Sequence, residues 1–150
     1  MDRPEHAWDG ADHVRRLRED GTRLLVFRDE EIVFRSEDRG IRPVLVALES
    51  VPPETLRGAT FVDRVIGRAA ALLVAHAGAG AVAAIVVSVT AMEVLKWHAI
   101  PVYREESTSR ISGREPGKPC PFEQAVAEIE DPAVAHERLR ALAVEMGLLP

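Results

Sequence analysis

The stretch Ala69–Met92 contains no aspartate, glutamate, lysine or arginine, and it limits the folds open to this chain more than any other feature. A run of this length could cross a lipid bilayer as one helix. Its middle, from His76 to Ala81, is instead small and turn-prone, and Ile85-Val86-Val87 is β-branched and favours a strand. We therefore predict a buried helix, a turn and the central strand of a sheet that helices cover on both faces.

Composition indicates one globular domain. The chain has 150 residues, of which 47% are hydrophobic and 29% charged. A net charge of −5 argues against general affinity for nucleic acid or for an anionic membrane. The first ten residues lack the basic start and apolar run of a signal peptide. Cys120 is the one cysteine, which excludes an intrachain disulfide and fits a reducing compartment. We expect a cytoplasmic protein and leave its oligomeric state open.

Alternating apolar runs and turn signals predict the order β, β, α, α, β, α, β, with further helices at the end of the chain. The predicted elements are the hairpin Leu24–Phe34, the helices Val44–Glu49 and Asp63–His76, the strand Val82–Val89, the helix Thr90–His98, the strand Ile100–Tyr103, the loop Glu105–Pro119, the helix Cys120–Ile129 and the helix Ala133–Met146.

This order predicts a three-layer α/β/α sandwich with a mixed sheet. For the whole domain we expect about five strands, in the spatial order 2-1-3-4-5. Residues 23–150 form the predicted domain. Residues 1–22 are predicted to be an N-terminal extension, with a short surface helix around His13–Glu19, that packs loosely or not at all.

The first candidate site is the start of the helix predicted at Asp63. Arg64 and Arg68 share one face of that helix, and Gly67 has no side chain to block a ligand or another backbone. A helix N-terminus and two guanidinium groups could hold an anion. The alternative is structural: Asp63 caps the helix, both arginines reach solvent, and Gly67 marks a close helix crossing.

The second candidate is Cys120, which lies at a predicted helix N-terminus with Pro121 after it and Glu123 three positions on. A helix N-terminus favours the reactive thiolate form of cysteine. The same spacing is also typical of a capping box, in which case Cys120 and Glu123 only start the helix.

Other apparent motifs predict no chemistry. The five histidines show no metal-ligand spacing, so we expect neither a metal nor another cofactor. Gly78 and Gly80 precede a strand, whereas the glycines of a dinucleotide-binding fingerprint follow one.

Four segments together resemble DUF1893, a prokaryotic family of unknown function with a cytidine deaminase-like fold. They are Leu25-Val26-Phe27-Arg28 with Ile32-Val33-Phe34, Arg39-Gly40-Ile41-Arg42-Pro43, Asp63-Arg64-Val65-Ile66-Gly67-Arg68-Ala69-Ala70-Ala71 and Cys120-Pro121-Phe122-Glu123. The resemblance covers roughly Arg23 to Ile129. It implies an α/β/α sandwich and one pocket lined by Asp63, Gly67, Arg68 and the segment from Cys120 to Glu123. It also carries over Arg114, although the family's asparagine before that arginine is Gly113 here.

Deaminase chemistry does not carry over with the resemblance. A zinc deaminase needs a histidine or cysteine and a glutamate on one helix and a cysteine pair on the next. This chain has Arg68-Ala69-Ala70 and Ser88-Val89-Thr90-Ala91 at the corresponding places, which leaves no zinc ligand.

Two functional hypotheses of different classes follow, and the sequence leaves open whether the protein is an enzyme. In the first, it binds a small anionic or nucleotide-like molecule without turnover, through Arg68, Arg114 and Asp63. In the second, Cys120 is a nucleophile, Asp63 or Glu123 moves protons and Arg68 stabilises an anion. A third alternative is an interaction module. We predict that the Asp63 carboxylate, the Arg68 guanidinium and the Cys120 sulfur line a common cleft, with Cys120 partly accessible.

Overall fold

The computed structural model describes residues 9–111 and 117–150, which build a five-stranded sheet with helices on both faces. The strands are β1 (Leu24–Arg28), β2 (Glu31–Ser36), β3 (Thr60–Ile66), β4 (Ala81–Ser88) and β5 (Val102–Thr108). The helices are α1 (Gly10–Asp20), α2 (Arg42–Ser50), α3 (Pro53–Leu56), α4 (Arg68–Ala77), α5 (Val89–Trp97), α6 (Pro121–Ala125) and α7 (Pro132–Glu145).

The sheet is mixed, and its strand order is β2-β1-β3-β4-β5, as the sequence predicts. The hairpin places β2 antiparallel to β1, and β1 is also antiparallel to β3. By contrast, β3, β4 and β5 run parallel. Parallel neighbours need crossover connections, and α4 and α5 supply them.

The charge-free stretch folds as predicted into a helix, a turn and a central strand. It begins in α4, turns at Gly78-Ala79-Gly80 and continues as β4. Among residues 9–111 and 117–150, no helix has both the length and the apolarity that a membrane crossing requires.

Two groups of buried side chains hold the three layers together. The larger lies between the sheet and the helices α2, α4, α5, α6 and α7. The smaller lies beneath α1, where Val14 and Leu17 are fully buried against Leu25 and Phe27 of β1 and Val62 of β3. The expectation that the N-terminal region packs loosely or not at all is therefore wrong for Gly10–Asp20, because these apolar residues cover the second face of the sheet.

Three element boundaries also differ from the prediction. The segment predicted to begin a helix at Asp63 is strand β3, and its helix begins only at Arg68. Strand β5 extends to Thr108, because an edge strand accommodates the charged residues that suggested a loop. Helix α6 ends at Ala125, and the main-chain carbonyls after it bind a side chain of α4 instead of continuing the helix.

Candidate functional site

Gly67, Arg68 and Glu123 lie at the carboxyl ends of the parallel strands. There α4 follows β3, and α5 follows β4, where the Ser88 hydroxyl caps α5 by accepting from the Ala91 N–H at 3.1 Å. This edge of an open α/β sheet is where ligands commonly bind, because adjacent helix N-termini open onto it.

The N-terminus of α4 already holds an anion, the carboxylate of Glu123 on α6. The Arg68 N–H donates to Glu123 Oε1 at 2.9 Å, and the Ala69 N–H donates to Oε2 at 2.7 Å. Gly67, the residue before the helix, has no side chain to cap it. Glu123 therefore satisfies two main-chain donors that the helix itself leaves unpaired.

A glycine is required at position 67 because a side chain would not fit there. Its backbone, with φ −99° and ψ −175°, is open to any residue. A Cβ atom at Gly67 would lie 2.7 Å from Glu123 Oε1 and 2.8 Å from Cγ1 of Ile111, both too close. The close approach predicted for Gly67 is thus real, and the group that approaches is a side chain of the same protein.

Arg68 is buried, with 9% of the residue exposed, and its guanidinium binds the main chain after α6. Its Nε donates to the Val126 carbonyl at 2.9 Å, and its Nη2 donates to the Ile129 carbonyl at 2.6 Å. The guanidinium carbon lies 6.0 Å from the centre of the half-exposed Trp97 ring. Arg68 therefore ties α4, α5 and the end of α6 together, with no carboxylate ion pair among the described residues.

Asp63 and Arg64 do not form a helix N-terminus. Asp63 is the last residue of β3 that pairs with β1, and its Oδ1 accepts from the Arg64 N–H at 2.7 Å. The Arg64 Nε donates to the Thr22 carbonyl at 3.1 Å. Within the described residues, neither side chain forms a hydrogen bond or ion pair with Arg68 or Glu123.

Burial raises the pKa of Asp63 to about 7, because its strand neighbours Leu24 and Ala84 belong to the main core and give a charged carboxylate little solvation. Hydrogen bonds from the main-chain N–H groups of Arg64 and Val65 oppose this rise. Asp63 therefore titrates near neutral pH.

Cys120 is half-buried and packs against the main core immediately before α6. Its side chain makes no capping bond to α6. Because Glu123 caps α4, the capping box that the spacing suggested does not form. Cys120 and Glu123 thus lie on one short segment that packs against the start of α4.

The arrangement brings together Gly67, Arg68 and Glu123, with Cys120 on the same segment. Both carboxylate oxygens of Glu123 accept main-chain N–H groups, so in this state Glu123 is not positioned as a free general base. Arg114 lies outside the described residues. Residues 9–111 and 117–150 contain no cluster of three or more histidine, cysteine or acidic side chains that could hold a metal ion.

Sequence reasoning missed the groups that bind Arg68 and close over Gly67. The acceptors for Arg68 are the main-chain carbonyls of Val126 and Ile129, which carry no residue-type signal. Ile111 and Trp97 are apolar contacts that the sequence presents as ordinary loop and helix residues.

These features define an α/β protein with a mixed five-stranded sheet and a carboxylate-capped helix at the carboxyl edge of its parallel strands. The chain belongs to the family described as domain of unknown function DUF1893 (TM1506), whose model matches residues 13–142. The resemblance found in the sequence is thereby confirmed.

A solved structure agrees with this fold. The crystal structure of a DUF1893 family protein (TM1506) from Thermotoga maritima superimposes with a TM-score of 0.79, and the alignment covers 97% of each chain at 22% identity. Similarity at this identity establishes the fold alone. No curated protein matches the chain. The classification as cytidine deaminase-like stays a prediction.

Proposed function

We propose that the protein binds a small anionic ligand without turnover at the carboxyl edge of β3, β4 and β5. The observation that carries this proposal is the carboxylate of Glu123 at the N-terminus of α4, held through both oxygens by the N–H groups of Arg68 and Ala69. Two converging N–H groups are the donors that a carboxylate or phosphate requires, and Glu123 occupies them as a ligand would.

A ligand enters this site by exchange. One of its anionic oxygens replaces an oxygen of Glu123, so that the N–H groups of α4 exchange one charged acceptor for another. The guanidinium of Arg68, on the first residue of α4, is held by two carbonyl groups and has no carboxylate partner among the described residues, which favours a second anionic group. A phosphate-bearing molecule such as a nucleotide combines the two requirements.

Non-catalytic binding is favoured over cysteine chemistry by the contacts of Glu123. A mechanism through Cys120 needs a nearby group that takes a proton, yet both oxygens of Glu123 are committed to main-chain donors. The Asp63 carboxylate accepts from the N–H of Arg64 in its own strand and forms no hydrogen bond with Cys120 among the described residues.

The test is thermal unfolding and calorimetric titration with inorganic phosphate, acetate and a nucleoside monophosphate. Wild-type protein is expected to be stabilised by the phosphate-bearing probes in a concentration-dependent way. In Glu123→Ala the vacated N–H groups become available, so acetate and phosphate should stabilise this variant more than the wild type.

The matched control is Glu128→Ala, which removes an exposed glutamate of the same region. It should respond to each anion as the wild type does. The proposal is overturned if no probe stabilises the wild type and if Glu123→Ala gains no more from acetate or phosphate than Glu128→Ala does.

A further inference from the structure

The surface between α6 and α7 is an open groove with opposite charges at its two ends. The groove has a volume of about 460 Å³ and is lined by Pro121, Ala125, Arg138, Ala141, Leu142 and Glu145. Its floor is apolar, and neither Arg138 nor Glu145 has an ion pair or hydrogen bond among the described residues. The groove thus carries a cation at one end and an anion at the other, each without a charged partner in the part of the chain that the structure describes.

The four groove residues of α7 have the spacing of a helix contact. Arg138, Ala141, Leu142 and Glu145 stand at positions i, i+3, i+4 and i+7, which share one face of a helix. Arg138 and Glu145 are about 10.5 Å apart along the axis, and the small side chain of Ala141 lies between them. The neighbouring face of α7, with Ala135 and Leu139, is buried in the main core and is not available to a partner.

We propose that this groove binds a second copy of the same chain, with the two α7 helices antiparallel. A two-fold axis through the midpoint between Ala141 and Leu142 exchanges positions 138 and 145. Each Arg138 then faces Glu145 of the other copy, and the apolar centres pack on each other. A surface that carries both members of the ion pair at equal distances from its centre is complementary to itself, as a two-fold interface requires.

The surroundings fit a partner of this kind. Val134, one turn before Arg138 on the same face of α7, is 48% exposed, so the apolar surface extends beyond the groove. Small residues at 125 and 141 allow helix axes to approach to about 8 Å. A contact between single helices is small for a specific complex, and we expect a weak dimer with a dissociation constant in about the micromolar range.

The pairing is tested by charge reversal, with sedimentation equilibrium of the full chain from about 1 μM to about 1 mM, a range that spans the expected dissociation constant. Arg138→Glu and Glu145→Arg each place like charges opposite one another twice per dimer, and each should weaken association by at least about tenfold. The double variant Arg138→Glu/Glu145→Arg restores opposite charges and should return association to the wild-type range. Glu93→Arg, at an exposed position on α5, is the matched control.

Both reversed positions are exposed, so all variants should fold, and thermal unfolding by circular dichroism verifies this. The proposal is overturned if the wild type is monomeric throughout the concentration range. It is equally overturned if the single reversals associate as tightly as the wild type, or if the double variant stays as weak as the singles.

Discussion

Removal of the Glu123 carboxylate tests the central contact of the candidate site. In Glu123→Ala, the N–H groups of Arg68 and Ala69 lose acceptors at 2.9 and 2.7 Å. Arg68 and Ala69 are 9% and 2% exposed, so water replaces these acceptors poorly. The variant should therefore lose both the capping bonds and the favourable charge at the start of α4.

The expected loss follows from these bonds. A hydrogen bond to a charged group contributes about 1.5–3 kcal/mol, and a charge at a helix terminus contributes about 0.3–1 kcal/mol. The contributions overlap, so the free energy of unfolding should fall by about 2–4 kcal/mol. Glu123→Gln keeps one oxygen acceptor and should lose about half as much.

Urea unfolding followed by far-UV circular dichroism measures the loss, with a midpoint that falls at an unchanged slope. The exposed Glu128→Ala serves as the control and should change the free energy of unfolding by less than about 0.5 kcal/mol. The reasoning is refuted if Glu123→Ala is no less stable than this control.

Four further substitutions test other parts of the structure. Gly67→Ala should lower the free energy of unfolding by about 1–3 kcal/mol, since its Cβ would clash with Glu123. The loss should be smaller in the Glu123→Ala background, and equal losses in both backgrounds by urea unfolding would contradict the clash with Glu123. Arg68→Lys should lower the free energy of unfolding by about 2 kcal/mol, because an ammonium group cannot reach both carbonyls after α6. An unchanged stability in the same assay would contradict the structural role of the two guanidinium hydrogen bonds. Asp63 contributes stability below its unfolded pKa of about 3.9 and loses that contribution as pH rises through its folded pKa of about 7. The free energy of unfolding of Asp63→Asn should thus rise relative to that of the wild type as pH increases from 5 to 8, and the difference should reach up to about 4 kcal/mol over the full titration. Parallel pH profiles of the two proteins would count against a raised pKa. Burial, followed by the positive charges of His76 and Arg140, lowers the pKa of His136, so the free energy of unfolding falls as pH drops below about 6.5. His136→Leu should flatten that fall in thermal unfolding scans.

The sequence was sufficient for the architecture. The charge-free stretch could only be a membrane span or a buried helix and strand, and its glycine-rich middle favoured the second. The hairpin and the alternation of helices and strands then led to a mixed sheet, although the pattern assigned most of β3 to a helix, and the shared motifs led to the family. These inferences rest on local periodicity and turn chemistry, which each segment carries in its own residues.

Segment boundaries were less well determined, because two structures fit the same residues. Val65 and Ile66 can continue a strand or begin a helix, and pairing with β4 decides for the strand. Similarly, the charges of α1 indicate a surface helix. Its two apolar residues, Val14 and Leu17, nevertheless suffice to cover a face of the sheet.

The roles of the site residues were decided only by tertiary structure. The sequence identified Gly67, Arg68, Cys120 and Glu123 as candidates, but the partners of Arg68 are carbonyl groups, and every residue has one. Glu123 caps a helix that begins 55 positions earlier in the chain, at Arg68. A hydrogen bond depends on where two groups lie in space, and folding brings together groups whose separation in sequence carries no information about that distance.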